Sequence, residues 1–218
     1  ISSSFSSQQG GLVGRNSGTI QNAVASTTVD GNDVVGGLVG FNGDYSDGEG
    51  IIQNSTATGS VTGERNVGGL VGKNNDRGII TNVKASGSVD GNRTTGGLVG
   101  RNSNGTIQNS IAVGSVSGDG DTGGVVGNNT DLSGISGTVA GSYWDRQATG
   151  QNTSAGNAVG LTTVEMIGAA AETNMSRLDF GSIWETRQDN YPRLTLQVSD
   201  KDTLTTVPPD LKGDLTSR

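Results

Sequence analysis

Gly36-Gly37-Leu38-Val39-Gly40 decides how this chain is read, because it is one of five near-copies. The same pentapeptide occupies Gly10–Gly14, Gly68–Gly72 and Gly96–Gly100, and Gly123-Gly124-Val125-Val126-Gly127 is a looser copy. The steps between copies are 26, 32, 28 and 27 residues. A period of this size marks stacked structural units, each of which buries its apolar face only against its neighbours.

Working outward, each unit has three parts. The pentapeptide is followed after one residue by asparagine, at Asn16, Asn42, Asn74, Asn102 and, in the looser copy, Asn129. Next comes Gly-x-Ile-x-Asn, ending at Asn22, Asn54, Asn82 and Asn109. The third part alternates: Ala25-x-Thr27-x-Val29 returns as Ala57-x-Gly59-x-Val61, Ala85-x-Gly87-x-Val89 and Ala112-x-Gly114-x-Val116. Alternation with period two predicts a strand with Ala, Gly and Val on one face. Equivalent strands recur only after a full unit, so they stack in parallel, each coil adding about 4.8 Å along the axis and five coils about 24 Å. The pattern predicts an all-β fold: a right-handed parallel β-helix or β-solenoid of about five coils, closed by a C-terminal cap containing one short helix. Residues 1–142 are assigned to the solenoid, 143–197 to an aromatic-rich cap and 198–218 to a polar tail.

Composition agrees with a thin core. Of 218 residues 38 are glycine, only 3 are proline, and 30% are hydrophobic. Collagen would need glycine at every third position, which is absent. Net charge is −7 with no basic run in the sequence, which argues against nucleic acid as a partner. No apolar stretch is long enough to insert into a membrane. Histidine and cysteine are both absent, removing the commonest general base and the thiolate metal ligands. The chain starts at Ile1 without a visible leader, as expected of a mature product or an excised segment.

The asparagine columns Asn16, Asn42, Asn74, Asn102 and Asn22, Asn54, Asn82, Asn109 read as structural ladders, since aligned side-chain amides hydrogen-bond along a stack and asparagine suits left-handed turns. A polar stripe for a ligand is the other reading. An insertion at residues 43–49 lengthens the second unit, and with Asp76 of the next coil it supplies Asp44, Tyr45, Asp47 and Glu49 as candidate ligand-binding residues. A cation or a polar glycan fits that chemistry; so does a solvated loop. The turns holding Asp30 and Asp33, and Asp119 and Asp121, are oxygen-rich, and calcium is the metal such turns take. They match no EF-hand loop, and no cofactor is otherwise required.

After residue 140 five of the eight aromatics appear: Tyr143, Trp144, Phe180, Trp184 and Tyr191. They are expected to cover the open end of the stack, with carbohydrate stacking as the alternative. Thr162 through Ala171 reads as a short helix opened by a Thr162/Glu165 capping box. Residues 181–185 and 193–197 read as closing strands.

The full pattern, Gly-Gly-Leu-Val-Gly-x-Asn, Gly-x-Ile-x-Asn and Ala-x-Gly-x-Val, resembles the GLUG repeat of bacterial and archaeal secreted proteins. Tyr143-Trp144-Asp145, Gly160–Thr163 and the Phe180, Trp184, Tyr191–Leu194 ending look like the segment that follows such repeats, so the resemblance spans roughly residues 10–196. It implies an extracellular, surface-attached setting, as in filamentous-haemagglutinin-like adhesins and the stalks of IgA-cleaving metallopeptidases; the peptidase zinc motif has no counterpart here. The function expected is a non-catalytic structural or adhesive module, a stalk or binding segment whose partner is a surface glycan or a host or partner-cell protein. One alternative is a self-assembling fibre or surface-layer subunit whose copies join end to end through exposed solenoid edges. The other is a polysaccharide-active β-helix enzyme.

Overall fold

The structure, a computed structural model, describes residues 7–43 and 48–195. The expectations for Asp44, Tyr45, Asp47 and the tail 198–218 fall outside those residues.

Five coils stack into a parallel β-solenoid with four sheets running along it. The first sheet holds Gln8–Gly10, Val34–Gly36, Asn66–Gly68, Thr94–Gly96 and Asp121–Gly123. The second holds Val13–Asn16, Val39–Asn42, Val71–Asn74, Val99–Asn102 and Val126–Asn128. The third is built on Gly50–Ala57 and Gly78–Ala85, flanked by shorter strands in the first, fourth and fifth coils. The fourth is the narrow column Val29–Asp30, Val61–Gly63, Val89–Gly91 and Val116–Gly118. In each column the equivalent residues of successive repeats are in register, so Gly10, Gly36, Gly68, Gly96 and Gly123 lie one above another.

The pentapeptide is the corner between the first two sheets. Leu12, Leu38 and Leu70 each donate a backbone N–H to the equivalent leucine carbonyl of the next coil at 2.9 Å, so the ladder runs through the bend. The two sheets then fold against each other across glycine. A Cβ on Gly36 would lie 2.1 Å from the Val39 carbonyl oxygen, and one on Gly72 would lie 2.6 Å from the Val35 nitrogen. Only a residue without a side chain permits that approach.

Two thin cores result. Between the second and third sheets, Leu38, Leu70 and Leu98 meet Ile52, Ile80 and Ile107, all fully buried, with Ala57, Ala85 and Ala112 beside them. Burying each Leu or Ile contributes about 1.5–3 kcal/mol, and the column repeats that in each coil. Between the first and fourth sheets a smaller core contains only valines, among them Val35, Val67, Val61 and Val89.

The Ala-x-Gly-x-Val segment is therefore not one alternating strand. Ala57 closes the strand Gly50–Ala57, Val61 opens Val61–Gly63, and Gly59 turns the corner between them. The alanine faces the large core and the valine the small one. The period of two runs across a bend because both residues point inward on either side of it.

The third sheet continues beyond residue 142. Tyr143–Asp145 pairs with Ile111–Ala112, and Val159–Leu161 pairs with Tyr143–Asp145. Trp144 takes the register position of Ala112 and packs over the open end of the large core beside Gly124. The other aromatics do not cover that end. Tyr143 and Trp184 pack with Ile111, Met166, Met175 and Leu178 in a third core on the outer face of the third sheet, where Phe180 and Tyr191 also lie. In place of the one expected helix there are, among the described residues, three short ones: Arg146–Thr149, Thr163–Met166 and Ala170–Asn174. The capping box of Thr162 and Glu165 forms, but Gly168 adopts φ +56° and splits the expected helix in two. The closing strands are Trp184–Arg187 and Asn190–Leu194, paired antiparallel. This hairpin lies a few residues off the expected segments, because a reverse turn through Asp189, φ +54°, sets its register.

Candidate functional site

The residue between the last glycine of the pentapeptide and its asparagine is Arg15, Phe41, Lys73 or Arg101. Strand register places these four in one column on the second sheet. The Arg15 guanidinium sits 4.9 Å from the Phe41 ring centroid, and the Lys73 ammonium 5.4 Å from it. Phe41 is thus sandwiched between two cations, each drawn to the negative face of the ring, and is itself 7% exposed. Arg101 is fixed by donating Nε–H to the Thr130 carbonyl at 3.0 Å.

Phe41, Lys73 and Arg101 of this column form one wall of a trough of about 310 Å³. The opposite wall is the start of each strand of the first sheet, where Gln8, Asn66 and Thr94 contribute amides and a hydroxyl. At the rim lie Arg65, Arg93 and Asp33. Arg65 Nε is 3.3 Å from the Asp33 carboxylate. Four cations and one carboxylate line this trough, whereas the chain as a whole carries 14 basic against 21 acidic residues. Burial, and then the neighbouring Arg101, push the Lys73 ammonium below the usual lysine range, against the opposing pull of Asp131 and Asp76. The sequence shows no basic run because the cations lie a full repeat apart. The signal was present in the single variable position of Gly-Gly-Leu-Val-Gly-x-Asn.

Immediately beside this column runs the first asparagine column. Asn16, Asn42, Asn74 and Asn102 each donate Nδ2–H to the Oδ1 of the next, ending at Asn129, at 2.8, 2.9, 2.9 and 2.8 Å. Asn42, Asn74 and Asn102 also donate to the carbonyls of Gly50, Gly78 and Gly105, which ties the second sheet to the start of the third. The second column behaves differently. Asn22, Asn54, Asn82 and Asn109 hold φ between 50° and 55°, a left-handed kink that asparagine tolerates better than most residues.

The other sequence candidates are scattered. Glu49 is exposed, and Asp76 accepts a hydrogen bond from Asn104 at 2.5 Å. Asp30 and Asp33 stand at the first coil, Asp119 and Asp121 at the far end of the stack, so the four do not converge. Asp121 accepts from Asn128 at 2.9 Å. Among the described residues no three acidic side chains gather in a group that could hold a metal ion.

A family profile described as the GLUG motif matches residues 31–62 and 63–90. The chain carries GLUG motifs. Each match spans one full coil, the second and the third. A halomucin from Haloquadratum walsbyi (strain DSM 16790 / HBSQ001) is 41% identical over 78 residues, covering 32% of this chain. The matched part spans only 1% of that relative's length. No solved structure matches the chain.

Proposed function

We propose that the chain is a non-catalytic structural and adhesive segment of an extracellular surface protein, a stiff spacer whose outer faces bind. The observation carrying this is the unbroken ladder from Asn16 to Asn129, parallel to backbone pairing that joins every coil to the next. Bending or sliding one coil breaks buried hydrogen bonds in both systems, so the stack is rigid along its axis. The GLUG motifs and the halomucin relative support a surface setting. Small-angle scattering tests the spacer: duplicating the coil at 63–90 should lengthen the particle by about 4.8 Å per coil. A thickened or collapsed particle would sink the reading. Adhesion is tested by the retention of beads coated with the chain on cell or polysaccharide surfaces against albumin-coated beads.

A second reading, end-to-end joining of copies, is favoured by Leu12. It is 53% exposed, while its equivalents Leu38, Leu70 and Leu98 are 0% exposed. Among the described residues, no further coil stacks on Leu12. Sedimentation over a concentration series should show association that Leu12→Lys abolishes; a concentration-independent monomer rules the joining out.

A further inference from the structure

Of the loops and turns that the sequence marked as binding candidates, the cationic trough takes in only Asp33, at its rim, and its chemistry names a ligand class. We propose that it binds an acidic polysaccharide, with the sugar chain lying along the solenoid axis and its carboxylate or sulfate groups meeting Lys73 and Arg101, with Arg65 and Arg93 at the rim. The proposal rests on the adhesive reading above and specifies the surface partner.

Three observations carry it. The first is charge. Lys73 and Arg101 occupy adjacent register positions, and like charges directly opposite one another on neighbouring strands repel. A chain with an excess of acidic residues nevertheless gathers Arg65 and Arg93 beside them. An anion placed between them turns that repulsion into attraction, and the guanidiniums offer paired N–H donors to planar carboxylate or to sulfate oxygens.

The second is spacing. Lys73 and Arg101 stand one coil apart, as do Arg65 and Arg93, a step of about 4.8 Å that is close to the length of one sugar ring in an extended chain. A polymer with an acid group on each sugar or on alternate sugars can therefore keep in step with the stack. The third is the opposite wall. Gln8, Asn66 and Thr94 present amide and hydroxyl groups, which pair with sugar hydroxyls. Phe41 is a positioning residue in this scheme. Its ring is covered by Arg15 and Lys73, and it holds those two cations on either side of one coil.

The test is calorimetric titration of the full chain with polygalacturonate, heparin, neutral dextran and poly-glutamate. Expected are binding of one or both acidic polysaccharides, weakened by added salt, a rise in Tm with the ligand, and no binding of dextran. The uronate and sulfate arms tell which acid group is preferred. Lys73→Gln with Arg101→Gln should weaken binding at least tenfold, whereas Arg177→Gln, an exposed cation on the cap, should leave it unchanged. Thermal melts of each variant report folding. Equal binding of dextran, poly-glutamate binding as tight as the polysaccharides, no binding of either acidic polysaccharide, or full binding by the folded double variant would each overturn the proposal. Failure here leaves the axial length by scattering and bead retention untouched, so it is distinguishable from failure of the spacer and adhesion readings.

Discussion

Asn42 and Asn74 lie 32 residues apart in sequence and share one buried hydrogen bond of 2.9 Å, Nδ2 of the first to Oδ1 of the second. Asn74 in turn donates to Asn102 and to the Gly78 carbonyl. Replacing Asn74 by leucine leaves an acceptor on Gly78, an acceptor on Asn102 and a donor on Asn42 without partners. Each such buried group costs about 1–3 kcal/mol. Asn74→Leu should therefore lower stability by several kcal/mol, measured as a drop in the urea midpoint. Asn16→Leu, at the end of the ladder, should cost visibly less.

The glycine interface makes a sharper comparison. At Gly72 a methyl group meets backbone of both sheets, at 2.6 Å from Val35 N in the first and 2.8 Å from Gly40 O in the second. Backbone cannot rotate away as a side chain can. Gly72→Ala should destabilise by about 3 kcal/mol or more, at the upper end of overpacking costs. A methyl group at Gly18 would meet nothing within 4 Å, and Gly18→Ala should be neutral or stabilising by about 0.4–1 kcal/mol. Parallel denaturant melts decide it: equal effects at the two sites would remove the steric account of the pentapeptide.

What the sequence made legible follows from what repetition preserves. Leu38, Leu70 and Leu98 stack because every coil needs the same residue at the same corner, so spacing alone announces the parallel ladder. The Asn16 column is readable for the same reason. The bend at Gly59 was not, since inward-facing Ala57 and Val61 mimic one strand. The column Arg15, Phe41, Lys73 and Arg101 was hidden because it is the position that does not repeat. Its meaning depends on proximity across coils, which composition averages away. The placement of Tyr143 and Trp184 on the outer face of the third sheet was hidden too, because aromatic content reveals a core without saying which surface it covers.

The cap has an acid-sensitive anchor. Asp145 is fully buried, and Tyr191 donates its hydroxyl to it at 2.6 Å. Burial alone would raise the Asp145 carboxyl. Hydrogen bonds from Thr163, Tyr191 and the amides of Ala148 and Gln147 outweigh it and hold the group below the ordinary carboxylate range. A depressed folded-state value means the carboxylate stabilises the fold above its unfolded pKa and loses that contribution as pH falls through the folded one. Tyr191 is the mirror case. Burial, then the bond to Asp145, raise it from 10.0 to about 12, so its contribution is complete below pH 10 and disappears as pH rises through about 12. Near-ultraviolet dichroism of Trp184 and its neighbours should report loss of cap packing in acid. Tyr191→Phe should shift that loss to higher pH, and an unchanged acid midpoint would show that the pair does not anchor the cap.

Lys84 gives a dependence opposite in sign to that of Tyr191, at the seam between solenoid and hairpin. Its ammonium donates to the Pro192 carbonyl at 2.8 Å and lies 5.6 Å from the Tyr191 ring centroid, beside a cleft of about 500 Å³ walled by Thr56, Ser86, Glu185 and Arg193. Burial and then Arg187 lower its pKa from 10.5 to about 8. Below pH 8 both the folded and unfolded chains carry the proton, and the folded state bears the cost of the desolvated charge. Between about 8 and 10.5 the unfolded chain binds more protons than the folded one, so stability rises with pH across that window. Tyr191 begins to oppose the rise only above pH 10. Thermal melts from about pH 7 to pH 10 should therefore show Tm climbing after pH 8. Lys84→Met, which keeps the aliphatic packing and removes the titrating group, should flatten that climb. A wild-type Tm that stays level or falls from about pH 8 to pH 10, or a Lys84→Met protein that still shows the full climb, would place the titrating group elsewhere.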